Sequence, residues 1–386
     1  MLRPLAALAV AAVLAAGCSS TTEGEASPPT SVADAETSGE GVSATLRVGT
    51  VINTSAPTAD ADTRTVSILQ AAVDLLEPET AVTIESVQIR DVDDVEPAIQ
   101  ALRELGVTVI VTLCDDATVP ALARAGIDAE LLVVSGCVSL PRPALSQTSR
   151  FFIDAAALHD APEAVAGWIP TVSVVDSPDI GVLRSDLIPD VDGTCASIVQ
   201  LVGSTAVGSI GLDLTFTSLV DDAEIVANSV VGRESALDAL VLCALPPFAG
   251  ELVDTLRSAG FAGPIVTPWF VDGEQWPAST NDVYVVSPAS RHGDDPASAV
   301  AELYELIDDP RGVDVVAADT MALLIRAVER TGSAAPERIA TFIRSGPVEV
   351  FSGTIAVAEA EAHIERTYRS ITIADGIAAF DSEIGS

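Results

Sequence analysis

Four cysteines downstream of residue 100, Cys114, Cys137, Cys195 and Cys243, are the residues whose chemistry is easiest to read. No CxxC pair and no neighbouring His accompanies them, so thiolate metal binding has little support. Four cysteines allow three disulfide connectivities. The pairing Cys114–Cys137 and Cys195–Cys243 is favoured, with free thiols or a metal pair as the alternatives. Cys114 and Cys137 each follow a strand candidate, 107–112 and 131–135, with one helix between them. Consecutive strands of a βαβ unit lie about 4.8 Å apart, which brings their ends into disulfide range.

Catalytic chemistry finds little support. Neither G-x-S-x-G, G-x-G-x-x-G, H-E-x-x-H nor a P-loop occurs, and the three His residues, His159, His292 and His363, sit beside carboxylates as solvated surface His do. All 19 basic residues are Arg, so Schiff-base and lysine-base chemistry is excluded. Asp190-Val191-Asp192-Gly193 begins like a Ca²⁺ loop but lacks the later ligands. No metal, no cofactor and no enzymatic activity are expected. With 56 acidic residues the formal charge is −37, which repels phosphate backbones and excludes nucleic acid as a partner. The same charge favours a soluble monomer.

The 386 residues are 48% apolar, enough for two domains with full cores. Residues 1–17 read as a lipoprotein signal peptide: Arg3 supplies the positive start, 5–16 an apolar stretch too short to span a bilayer as a helix. Leu14-Ala15-Ala16-Gly17-Cys18 resembles a bacterial lipobox, with Cys18 as the lipidated residue; an ordinary secretory cleavage site is the alternative. Residues 18–43 are Ser-, Thr-, Glu- and Gly-rich and read as a disordered tether. The implied location is extracytoplasmic, lipid-anchored to the cell membrane and oxidising.

From residue 46 onward, short apolar runs alternate with amphipathic stretches. Strand candidates at 46–51, 82–89, 107–112 and 131–135 alternate with helical periodicity, and the cadence restarts after 151–153 with strands at 180–184, 208–212, 239–242, 264–267 and 283–287. That rhythm predicts an α/β chain with two doubly wound parallel-sheet lobes. Ligands of such sheets lie at the carboxyl ends of the strands.

The order of these pieces resembles that of type I periplasmic binding proteins, in particular the leucine/isoleucine/valine-binding proteins of ABC importers. Leu46-Arg-Val-Gly-Thr-Val51 resembles the opening strand, 67–76 (SILQAAVDLL) the following helix, 98–118 a strand and its loop, and 252–267 (LVDTLRSAGFAGPIVT) a later helix and strand. The resemblance implies a hinge with three crossovers, near 141–151, 287–290 and 346–352. The N-terminal lobe then comprises 44–150 plus 288–348, and the C-terminal lobe 151–287 plus 349–386. It further implies delivery of a small polar ligand, an amino acid or a related amide or carboxylate, to an ABC transporter permease by hinge closure. A binding-protein-like sensor without a transporter is the alternative.

Carried over position by position, the resemblance implies a ligand set of Asp115, Thr118, Cys137, Val138, Ser139, Phe248 and Trp269; Thr54 and Ser55, which follow the first strand and rim the same cleft, and Asp272, three residues after Trp269, are added to it by position. Asp115 stands where the family has Ser, and Trp269 where it has the ammonium-binding Glu. Asp115 and Thr118 have a second reading as caps of the helix that follows.

Overall fold

The computed structural model describes residues 44–137, 151–156, 158, 160–186, 189–205, 207–217, 223–272, 275–292, 298–357 and 364–384. Cys18, Val138, Ser139, His159 and His363, the signal peptide and the tether lie outside the described residues. Among the described residues, no helix is long and apolar enough to cross a membrane.

The first sheet has the strand order β2-β1-β3-β4-β5 and is parallel throughout. Its strands are β1 (Leu46–Asn53), β2 (Val82–Ile89), β3 (Val109–Thr112), β4 (Leu132–Ser135) and β5 (Phe152–Ile153). The central strands, VIVT and LVVS, are buried at every position, as strands covered on both faces must be. Helices α2 (Val95–Glu104) and α3 (Val119–Asp128) cover one face, where Ile99, Leu102 and Leu122 meet Ile110 and Val133. Helix α1 (Ala59–Leu76) covers the other, with Leu69 against Val109 and Val111.

The second sheet has the order β15-β14-β10-β9-β8-β6-β7. Five strands are parallel: β6 (Asp179–Ser185), β7 (Ser209–Phe216), β8 (Ala239–Cys243), β9 (Ile265–Pro268) and β10 (Val283–Ser287). The last two, β14 (Tyr368–Ala374) and β15 (Ile377–Ile384), are antiparallel additions at one edge. Helices α4 (Ala161–Val172) and α5 (Pro189–Ser204) lie on one face. Helices α6 (Ala223–Val231) and α7 (Phe248–Ser258) lie on the other. The stretch Asp190–Gly193 lies within helix α5.

After β10 the chain returns to the first lobe through α8 (Ser298–Glu305), α9 (Asp314–Thr331) and α10 (Pro336–Ile343). Helix α9 is buried without interruption from Asp314 to Ile325. A helix apolar on nearly all sides belongs inside a core, and α9 packs beside α1.

Two lobe boundaries differ from expectation. Phe152–Ile153 pairs with β4, so the first sheet runs past residue 150. More substantially, β11 (Val348–Val350), β12 (Gly353–Val357) and β13 (Ile364–Glu365) form their own antiparallel sheet. Val348, Phe351, Ile355 and Ile364 sit in the core built by α1 and α9, so this segment belongs to the first lobe. The third crossing therefore falls at residues 366–367, not at 346–352. The apolar side of the small sheet finds its partners on the first lobe, and only β14 and β15 extend the second sheet.

Candidate functional site

The carboxyl ends of the first sheet carry three loops. The disulfide Cys114–Cys137 ties the loop after β3 to the loop after β4, with the Cα atoms 5.0 Å apart. Adjacent parallel strands make this span possible. The second disulfide, Cys195–Cys243, pins α5 to the end of β8 inside the second lobe, with the Cα atoms 6.4 Å apart.

Asp115 and Thr118 bond to each other. Asp115 is buried, and its Oδ2 accepts the Thr118 hydroxyl and, at 2.9 Å, the Nδ2 of Asn53. Its Oδ1 accepts the Ala117 amide at 3.3 Å. This is the helix-start arrangement that short acidic side chains favour. The Thr118 hydroxyl, a candidate ligand donor from the sequence, is thus already given to Asp115. Thr54 and Ser55 are exposed beyond β1; Thr54 donates to the Ile89 carbonyl at 3.0 Å and the Ser55 amide to Asn53 Oδ1 at 3.1 Å.

A residue that sequence reading passed over lies beneath this loop. Asp62, in the first turn of α1, is fully buried, and its Oδ1 accepts the Cys114 amide at 2.7 Å. Its Oδ2 has no hydrogen-bond partner among the described residues. The Thr65 hydroxyl, one turn on, lies 3.2 Å from Cys114 Sγ. An Asp in an amphipathic helix reads as a solvated residue, so only its burial separates it from its neighbours. Burial pushes the Asp62 carboxyl up to about 6, the Asp115 charge adds to the rise, and the Cys114 amide opposes it.

The sign of the resulting pH dependence follows directly. Between the unfolded value near 4 and the folded value near 6, the native state holds more protons than the unfolded state. Stability therefore falls as pH rises through that window and stays lower above it. Asp62→Asn is expected to remove this part of the slope, read as a smaller change in urea midpoint between pH 4.5 and 7. An unchanged slope would place the buried titration elsewhere.

On the second lobe, Trp269 and Phe270 follow β9, half-buried, with ring centroids 4.5 Å apart and planes tilted by 53°. Both pack against the apolar face formed by α4 and α5. Phe248 opens α7 and packs against the opposite face, its ring 5.5 Å from that of Phe216. The two aromatic candidates thus lean on opposite faces of the sheet.

Asp272 is buried and engaged by protein groups. Its Oδ2 accepts the Ser287 hydroxyl at 2.9 Å and the Gly312 amide at 2.5 Å. Among the described residues, no three His, Cys, Asp or Glu side chains come together to hold a metal ion.

Two α/β lobes, each with a mainly parallel sheet clothed on both faces and connected by repeated crossings, define the two-lobe type I periplasmic binding protein fold. Solved structures agree. The chain is similar to the branched-chain amino acid transporter substrate-binding protein LivJ from Streptococcus pneumoniae, in complex with isoleucine, at 17% identity and a TM-score of 0.65 over 88% of this chain and 98% of that one. It is similar to the leucine-binding protein LivK from Thermotoga maritima at 16% identity and a TM-score of 0.65, over 88% and 99% of the two chains. A solute-binding protein of an ABC transporter from Rhodopseudomonas palustris, in complex with 3,4-dihydroxybenzoic acid, matches at 14% identity and a TM-score of 0.66, over 88% and 97%. No family model matches the chain, and no curated protein matches it in sequence.

Proposed function

We propose that this chain is an extracytoplasmic solute-binding protein, lipid-anchored through Cys18, that presents a small polar ligand to an ABC transporter permease by hinge closure. The observation that carries the reading is the topology: two parallel-sheet lobes with strand-end loops on each, connected by three crossings. Such lobes rotate as rigid bodies about their crossings, and a transporter can sense that motion.

Thr54, Ser55 and the Cys137–Ser139 loop are the proposed ligand groups of the first lobe, and Trp269 and Phe248 those of the second. Asp115, Thr118 and Asp272 serve the protein's own hydrogen bonds instead. With the Thr118 hydroxyl directed at an internal carboxylate, an amino acid carboxylate loses an expected anchor after β3. An aromatic ring against Trp269 fits the second lobe, and bound ligands among the neighbours include both isoleucine and 3,4-dihydroxybenzoic acid.

The test is a thermal-shift panel of branched-chain amino acids, amides and benzoates. A ligand at 100 times its dissociation constant adds about 2.7 kcal/mol, a rise of several degrees. Benzoates are expected to shift the midpoint more than isoleucine does. A panel with no response at millimolar concentration would count against solute binding altogether.

A further inference from the structure

The second crossing carries a contact between the lobes that no ligand is needed to explain. Asp272 belongs to the second lobe: it follows β9, its amide donates to the Trp269 carbonyl at 2.9 Å, and Val271 beside it is in that lobe's core. Gly312 belongs to the first. Its carbonyl accepts the Tyr304 hydroxyl at 3.2 Å, and Tyr304 lies in the first lobe's core. Arg64 of α1 fastens the same loop, donating to the Asp308 and Asp309 carbonyls at 2.9 and 2.8 Å and pairing with Asp314 at 2.5 Å.

We propose that the bond from the Gly312 amide to the Asp272 carboxylate is a latch between the lobes, and that its release, which opens the buried carboxyl to water, depends on pH. Geometry makes Gly312 obligatory. A Cβ there would lie 2.1 Å from Ser287 Oγ, 2.2 Å from Asp272 Oδ2 and 2.3 Å from the Ala289 carbonyl. No side chain fits between the two lobes at this point.

The groups facing Asp272 come from every element around it. Ser287 donates from the end of β10. Arg291, on the crossing next to His292, holds its Nε 4.0 Å from Asp272 Oδ1 and its Nη1 3.0 Å from the Pro310 carbonyl and 3.6 Å from Asp309. Asp314, itself paired with Arg64, adds negative charge from the start of α9. Burial dominates and pushes the Asp272 carboxyl up to about 6, against the lowering effect of Ser287, Gly312 and Arg291.

Linkage then fixes the direction. A latched carboxyl near 6 that returns to the ordinary value of 3.8 on release binds its proton more tightly when latched. Acid favours the latched state, and ionisation above pH 6 favours release. This holds whether or not the ligand reading above is correct.

Hydrogen exchange of the full-length chain reads the latch directly, through the Gly312 amide corrected for intrinsic rate. Its protection is expected to fall roughly tenfold between pH 5 and 7.5. Asp272→Asn should flatten that dependence while circular dichroism stays unchanged. Ser287→Ala, which removes one lowering contact, should move the inflection to higher pH; it serves as the second variant if Asp272→Asn does not fold. The proposal is overturned if wild-type protection is flat, if Asp272→Asn keeps the slope, or if Gly312 exchanges only with the centre of β8, through global unfolding.

Discussion

Arg366→Met is expected to lower the unfolding free energy by roughly 3–5 kcal/mol, the range for stripping one partner from a buried ion pair. Arg366 is 2% exposed and Asp319, on α9, 0%. The guanidinium Nη1 donates to Asp319 Oδ2, and Nη2 donates to the Ala155 carbonyl at 2.8 Å. Asp319 also accepts the Ser352 hydroxyl at 2.6 Å and the Ser352 amide at 3.0 Å. The Met variant leaves the Asp319 carboxylate buried with the two Ser352 donors as its remaining partners among the described residues. Urea unfolding should show the loss as a lower midpoint with a similar m-value. Asp319→Leu combined with Arg366→Met should cost much less than the two single changes added together, because the pair disappears as a unit. Additive losses would show that the two side chains act separately.

The position of this pair gives it more than a stability role. Arg366 lies on the third crossing, and its own amide donates to Asp160 Oδ2 at 3.2 Å. The Tyr368 hydroxyl bonds Asp160 Oδ1 at 2.6 Å. Arg369 reaches the Ser352 carbonyl at 3.1 Å. The first and third crossings are thus knotted to α9 by charge-assisted bonds, which are shorter and stronger than neutral ones. With the Asp272–Gly312 contact on the second, every crossing carries a polar tie to the first lobe's long helix or to the loop leading into it. Lobe motion must work around these fixed points.

The alternation of elements was legible because central parallel strands are apolar along their whole length. VIVT at 109–112 and ALVLC at 239–243 admit no other reading once helical periodicity flanks them. The Cys114–Cys137 pairing was legible for the same reason: strand adjacency brings the ends of β3 and β4 together. The return of residues 348–365 to the first lobe was not, because alternating β pattern says that a face is buried but not against which sheet. Asp272 shows the same limit at a site. Its loop position suggested a ligand group, while its partners, Ser287 and Gly312, lie 15 and 40 residues downstream. Nothing local in the sequence marks Gly312 as the point where two lobes touch. Asp62 was missed because burial, not residue type, makes it unusual.

Removing the Cys195–Cys243 disulfide as the double Ala variant is expected to cost about 4 kcal/mol. The bond closes a span of 48 residues, and loop-closure entropy for a span of that length gives roughly this value. Cys114–Cys137 closes only 23 residues, so its entropic share is smaller, about 3.4 kcal/mol. A second effect separates them further. Cys195 and Cys243 are fully buried among Ile180, Val182 and Ile198, so losing two sulfur atoms there also leaves a cavity. Cys114 and Cys137 are half-buried at the strand ends, where the chain can relax and water can enter. The buried pair should therefore dominate thermal stability, and the strand-end pair should instead govern the mobility of the loops after β3 and β4. Thermal midpoints should fall furthest for Cys195→Ala/Cys243→Ala, while exchange of the 114–118 amides should accelerate only for Cys114→Ala/Cys137→Ala. Equal midpoints for the two double variants would show that neither loop length nor burial sets the difference.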